Sequence, residues 1–557
     1  MKKRQVLRMR KKAAGVLIGL LCLTLVIGCS SNNGNSASSG QASGSGEQNA
    51  EVTITTVRGL GGDTQFKNGE TIENNWHTKW AKEKLGMNIK YNWIITDQSQ
   101  SYKTKLRMIL ASGEQMPDVF ATSDIDIVAN FAEAGKSMDI TEAFEKYASP
   151  RMKELYAKHP EVWNYVTRDG KKYALPFFTG GEPISVMWIR QDWLDKLKLT
   201  APTTIEEMER VMDAFVNQDP DGNNKKDTIG MSLSLKDGIT PHMSDASFLV
   251  GAMGAQIPDY WHEAEDGTLR SGNTDPKVKD VLAKLNEWYS KGYIDREAAI
   301  HDAAKATESF IQGKSGIVFA SWWAPLWPLG DLVKNDPNAV YKPYPVPSGP
   351  DGKRGVMGQV PISFTLVFNK DFKHMDKMLQ YVDQLYGFAF DDPNSDFKYG
   401  WAEGYDYIME NGKPSFDQSK IPGGFIEAQK YLLTPDFPEV PGGLVEVYNR
   451  LATGKTPETP AEIRQAGHDP IVIEGGKVIY SQMKDAIYNK FTTIPTETMV
   501  KQNEILLKMQ RETFSSIIYG KKQADAFDQF VKDWKANGGD KITEEVNAWY
   551  KESKNAK

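Results

Sequence analysis

The sequence predicts an α/β protein of two or more lobes, each a mixed, mostly parallel sheet flanked by helices. Three observations carry this. The chain has 557 residues, and the roughly 500 that follow a polar N-terminal stretch exceed what one hydrophobic core supports. Strand-like and helix-like segments alternate from residue 51 onward, the rhythm of βαβ units. Both cysteines, Cys22 and Cys29, lie near the start, so the body has no disulfide or cysteine-held metal and stands on packing alone.

The elements follow in order. Residues 51–57 alternate and are β-branched, which predicts a first strand. Residues 73–85 predict a helix that stops at Gly86. A second strand is expected over 88–94, a helix over 102–112, and a short buried strand over 117–121. Farther on, Thr204 and Glu207 have capping-box spacing. Ile205, Met208, Val211, Met212 and Phe215 then recur on one helical face.

The first fifty residues predict export. Lys2, Lys3, Arg4, Arg8, Arg10, Lys11 and Lys12 precede an apolar run over 13–27, and no acidic residue occurs before Cys29. That run is short for a membrane span, which needs about 20 residues, and suits a secretory signal. It ends Val26-Ile27-Gly28-Cys29, which resembles the bacterial lipobox. The resemblance implies a signal peptide over 1–28, cleaved before Cys29, and a lipid on that cysteine. Residues 29–50 are expected to be a flexible linker; 30–48 is almost wholly Ser, Gly, Asn, Ala and Gln. The expected location is the outer face of the cell membrane of a Gram-positive-like bacterium, with contact to the membrane through the anchor only. Seven basic residues leave with the signal, which moves the formal net charge from −6 to −13. Such a charge argues against nucleic acid as a partner.

Three later segments carry a wider resemblance. They are Tyr173-Ala174-Leu175-Pro176, Arg190-Gln191-Asp192-Trp193-Leu194, and Phe310 to Phe319 with its helix-Gly-strand character. With Tyr344-Pro345-Val346-Pro347, Glu403-Gly404-Tyr405 and the helical 527–550, their order resembles the extracellular solute-binding proteins of ATP-driven (ABC) importers, in the oligosaccharide-binding group of Gram-positive lipoproteins. The resemblance runs from about residue 51 to the C-terminus. It implies a two-lobed, type II periplasmic-binding-protein-like fold with crossing segments as its hinge. Lobe 1 is expected over 51–175 with parts of about 348–400, and lobe 2 over 176–347 with parts of about 401–557. It further implies a monomer that is not an enzyme, which captures an oligosaccharide and delivers it to permease subunits.

The sharpest local motif is the run from Asp219 to Asp227. Asp219, Asp221, Asn223 and Asp227 place side-chain oxygens at alternate positions, a spacing that can wrap a loop around Ca²⁺. It is not an EF-hand, because Gly222 is fourth and Gly230 stands at the twelfth position. It looks like the calcium loop of alginate-oligosaccharide-binding members of the family. The resemblance assigns Asp219, Asp221, Asn223 and Asp227 as side-chain ligands and Lys225 as a carbonyl ligand. Thr228 stands where those members place Glu. The ion would be structural; the alternative is an Asx-rich surface turn.

Fourteen Trp and 22 Tyr are a high aromatic load. Trp322 and Trp323 follow a buried strand, where open α/β sheets bind ligands, and an indole face matches a sugar's C–H face. They are candidate platforms, with core packing as the alternative. Further ligand candidates are Arg58 after the first strand, Asp124, Trp261, Phe364 and Trp401, with Trp76 behind them. Trp193 reads as core. Gly313-Lys314-Ser315 mimics a Walker A ending, but residue 308 is Glu where the first Gly is needed, so no nucleotide site is indicated. A surface glycoside hydrolase or a peptide-binding lipoprotein remains as an alternative.

Overall fold

The structure, a computed structural model, describes residues 51–62, 64–96 and 100–555. The expected signal, Cys29 and the linker lie outside these residues. Nine strands build the sheets that position the site: β1 (Val52–Gly59), β2 (Met87–Ile95), β3 (Val119–Thr122), β4 (Leu175–Phe178), β5 (Val186–Arg190), β6 (Ile229–Met231), β7 (Ser315–Ala320), β8 (Tyr341–Tyr344) and β9 (Ile362–Phe368).

In the first lobe β1 pairs with β2 in parallel, and β9 runs antiparallel between β3 and β4. Side chains join the two groups: Thr55 N–H and Oγ1–H both donate to Asp118 Oδ2, at 2.8 and 2.7 Å. In the second lobe the order is β8, β5, β7, β6, with β5 antiparallel to both neighbours and β7 parallel to β6. Four of these six pairings are antiparallel, more than the expected mostly parallel sheets. The cause is connectivity. The chain leaves the first lobe along β4 and returns along β9, so these two strands lie side by side in opposite directions.

Local signals place the helices. Helix α1 (Trp76–Leu85) begins where Asn75 caps the His77 and Thr78 N–H groups and ends at Gly86 in the left-handed region, φ 67°. Helix α2 (Gln100–Ser112) and helix α3 (Ile125–Glu133) cover the first lobe. Helix α4 (Ile205–Asn217) buries Ile205, Met208, Val211, Met212 and Phe215. Its Thr204 cap accepts from Glu207 N–H, but Glu207 answers to Thr203, one residue early. Trp193 is buried against Phe215.

The cores separate by lobe. Ile54, Ile89, Phe177, Leu366 and Tyr381 belong to the first, and Ile189, Phe215, Leu249, Ile317 and Trp288 to the second. Trp401, Ala428, Leu432 and Leu433 pack with the first core, beyond the expected limit near residue 400. Val445 and Tyr448 then join a satellite cluster around Trp188 in the second lobe. The stretch 434–442 is therefore a third crossing beside 179–185 and 345–361. It is tied to the first by Glu439 N–H to Phe178 O at 3.0 Å and Gly442 N–H to Gly180 O at 2.8 Å.

Candidate functional site

Two cavities meet the return crossing at neighbouring residues. The first, of about 280 Å³, opens at the carboxyl ends of β1 and β3 and is lined by Arg58, Lys103, Ser123, Phe364 and Asp436 among others. Arg58 ends β1 and is only 4 % exposed. Its Nη2 reaches the carbonyls of Lys430 and Pro435 at 3.5 Å each, the outer limit of hydrogen bonding, and its buried Nε has no partner. Burial lowers its pKa from the usual value, yet a guanidinium stays charged. The buried His77 is pushed down to about 3, first by burial and then by the Arg58 charge, so it stays neutral. Phe364 lines the cavity and stacks on Phe177 with centroids 4.4 Å apart.

The second cavity, of about 550 Å³, is lined from both lobes and the crossings: Asn164, Gly181, Pro361, Tyr488, Asn489 and Trp549 among others. Asn164 bridges the lobes by donating from Nδ2 to Thr492 Oγ1 at 3.0 Å. Asn489 is held by Trp261 N–H, which donates to its Oδ1 at 2.9 Å. Aromatic faces beside amide and hydroxyl groups can stack on a sugar and meet its hydroxyls.

Two carboxylates, those of Glu182 and Glu439, sit on the crossings. Glu439 Oε2 accepts from Thr179 Oγ1–H at 3.0 Å and Gly180 N–H at 2.5 Å. Glu182 Oε1 accepts from Trp322 Nε1–H at 3.0 Å. Burial, then the Glu182 charge, raises the Glu439 pKa to about 7.

The structure thus brings Arg58 and Phe364 together, with Lys103 between them and Asp124. The Asp124 carboxylate is already engaged: it caps α3 and accepts from Arg107 at 3.2 Å, with Lys103 at 3.5 Å. Trp322 lies at the hinge but is 8 % exposed, packed 5.0 Å from Tyr448; Trp323 flanks the same cluster, half-buried. The free indole of this segment is Trp327, 56 % exposed. Trp261 packs in the second core on Phe491. Trp401 packs in the first core, stacked on Phe388 at 4.6 Å. Trp76 lies beside Phe397 in that core. Glu182, Glu439, Asn489 and Trp549 escaped sequence reasoning, because none sits in a local motif.

In the 219–228 loop, Asn223 Nδ2–H donates to both Asp221 Oδ2 and Asp227 Oδ1, at 2.7 and 3.1 Å, which draws these carboxylates together. Asp219 Oδ2 accepts from Asn224 N–H, while its Oδ1 is buried without a partner. Lys225 is exposed, and its N–H donates to Asn223 Oδ1. Thr228 turns away: it is buried, and its hydroxyl donates to Phe215 O at 2.7 Å. As placed, no three carboxylates, histidines or cysteines among the described residues are grouped to hold a metal.

The family model described as bacterial extracellular solute-binding protein matches residues 63–394. The fructooligosaccharide ABC transporter substrate-binding protein FusA of Streptococcus pneumoniae is 27 % identical over 307 residues, 52 % of this chain and 54 % of that relative; the sequence match thus spans about half the length of FusA. Lipoprotein LipO of Bacillus subtilis is 24 % identical over 98 % of this chain and all of that relative. Among solved structures, alginate-binding protein AlgQ2 without calcium ion aligns at TM-score 0.61 and 17 % identity, over 90 % of this chain and 99 % of that one. FusA in complex with kestose aligns at 0.62 and 18 %, over 91 % and 100 %, and an EF-hand mutant of FusA aligns equally well. These alignments show the two-lobed fold.

Proposed function

The chain belongs to the bacterial extracellular solute-binding proteins, and on that premise we propose that it captures an oligosaccharide between its lobes and delivers it to an ABC transporter permease. The observation that carries this reading is the 550 Å³ cavity lined from both lobes and the crossings. A ligand seated there touches both lobes, and contact that is greater in the closed than in the open state is what shifts an open–closed equilibrium. Lobe 1 is proposed to comprise 51–178 and 361–433, and lobe 2 186–357 and 443–555, following the cores.

FusA, by its name, binds fructooligosaccharide, and LipO is named a lipoprotein; both support the reading. The anchor is proposed to be a lipid on Cys29, with 30–48 as tether. It would keep a monomeric receptor near its permease at high effective concentration.

A structural calcium ion in the 219–227 loop is also proposed. The donors are hard oxygens, and the partnerless Asp219 Oδ1 is a buried acceptor that a cation would satisfy. Asp219, Asp221, Asn223 and Asp227 would hold it with the Lys225 carbonyl. Thr228 is not part of this set.

The deciding experiment is calorimetry against an oligosaccharide panel, paired with small-angle scattering. Binding with a smaller radius of gyration is expected. No binding across the panel and an unchanged scattering curve would overturn the proposal. The hinge carboxylates Glu182 and Glu439 are the one feature a glycoside hydrolase would share; release of reducing sugar by the pure protein would favour that reading.

A further inference from the structure

We propose that the cavity at the carboxyl end of β1 is a subsite for a sugar carboxylate, held by Arg58, so that the captured oligosaccharide contains uronate residues. This rests on the oligosaccharide-capture reading and names the ligand's charge, which that reading leaves open.

Arg58 is 4 % exposed, and burying a cation is costly unless it is paired. Among the described residues Arg58 makes no salt bridge. Its partners are two carbonyl oxygens at 3.5 Å, and its Nε is buried with none. The one carboxylate whose charge acts on it, that of Asp436, does so from beyond ion-pair contact. Tyr91, Tyr102 and Tyr381 are buried around it, and all three have raised pKa values, chiefly through burial, so they are neutral phenols.

The cavity wall adds a second cation. Lys103 lines it from the first turn of α2. Its nearest carboxylate, Asp124, is shared with Arg107. One carboxylate lines the cavity, that of Asp436; burial raises its pKa while the Arg58 charge lowers it, and it makes no ion-pair contact with the guanidinium. The lining charge is therefore two cations against one acid.

The remaining lining suits a sugar ring. Thr122, Ser123 and Ser363 line the wall beside the ring of Phe364. A planar guanidinium presents paired N–H donors that match a carboxylate. Two faces of a uronate are thus met at once, its C–H face by Phe364 and its carboxylate by Arg58.

The test is a panel of uronate trisaccharides, each paired with its carboxyl-reduced neutral counterpart, titrated by calorimetry into the wild-type protein and into Arg58→Gln and Arg58→Lys. The wild type is expected to bind at least one uronate about tenfold or more tighter than its reduced partner, with a preference that shrinks at high salt. Arg58→Gln is expected to abolish that preference and Arg58→Lys to retain part of it. A wild type that binds the reduced partners equally well would overturn the inference, as would a folded Arg58→Gln that keeps the preference. The wild-type comparison needs no variant, so it decides even where Arg58→Gln does not fold. Neutral oligosaccharides that bind and compact the protein, with uronates failing, would sink this inference and leave the capture reading standing. Failure of every sugar would sink both.

Discussion

The indole Nε1–H of Trp322 donates to Glu182 Oε1 at 3.0 Å, which ties the turn after β7 to the first crossing between the lobes. Trp322→Phe keeps most of the packing against Tyr448 and removes this donor. A hydrogen bond to a charged group is worth about 1.5–3 kcal/mol, so chemical denaturation is expected to show a loss of that order. Trp322→Ala adds a cavity and should cost more. A Trp322→Phe variant as stable as the wild type would mean that the hydrogen bond contributes nothing.

Glu439 predicts a pH dependence. Its pKa is raised from 4.5 to about 7, mainly by burial, so between those values the folded state holds more proton than the unfolded. Stability is then fully present below about pH 4.5 and is lost as pH rises through 7. Glu439→Gln removes the titration. Melting curves at pH 5.5 and 8 should therefore diverge less in the variant than in the wild type. Equal divergence would show that Glu439 is not the group responsible.

Trp401→Ala separates packing from recognition. Trp401 is 5 % exposed and stacked on Phe388, so its removal should cost about 3–5 kcal/mol of stability. Sugar affinity measured well below the melting temperature should be unchanged. A loss of affinity in the folded variant would return Trp401 to the ligand site.

Trp401 and Trp322 also mark how far the sequence is legible. Local features were readable: Gly86 ends α1, Thr204 caps α4, and the apolar stripe of α4 faces the core as its spacing requires. Arg58 was readable as a candidate because it ends the first strand, and Phe364 because it follows the return crossing. Which tryptophan is covered was not readable, since that depends on partners such as Phe388 and Tyr448, whose positions no local pattern encodes. The hinge carboxylates are harder still. Glu182 and Glu439 are far apart in sequence, and each lies between prolines and glycines that predict only loop. The mostly parallel sheet failed for the same reason, because β9 reaches β3 and β4 from far along the chain.

Calcium should raise the melting temperature if it occupies the 219–227 loop. A ligand at about 100 times its Kd stabilises by about 2.7 kcal/mol. Chelator-treated protein should melt lower than protein in millimolar calcium, and Asp219→Ala, which deletes the partnerless Oδ1, should erase the difference. Magnesium should substitute poorly, because it demands a stricter geometry. A melting temperature indifferent to calcium would leave the loop an Asx-rich turn.

Gly181 is where the first crossing can be tested as a hinge. It sits in the left-handed region at φ 64°, and a Cβ there would lie 2.9 Å from Pro361 Cβ on the return crossing. Gly181→Ala therefore meets two penalties, about 1–2 kcal/mol of backbone strain and a clash that pushes the crossings apart. Both act on the segment about which the lobes would close. If closure is part of binding, the variant should lose affinity by more than its neighbours' contacts explain, and ligand should compact it less in scattering. Gly170→Ala is the control, since φ there is 74° with open space around the added Cβ: it carries similar backbone strain at a surface turn and should bind as the wild type does. Equal affinity in both variants would place the hinge elsewhere, with 345–361 and 434–442 the remaining crossings to test.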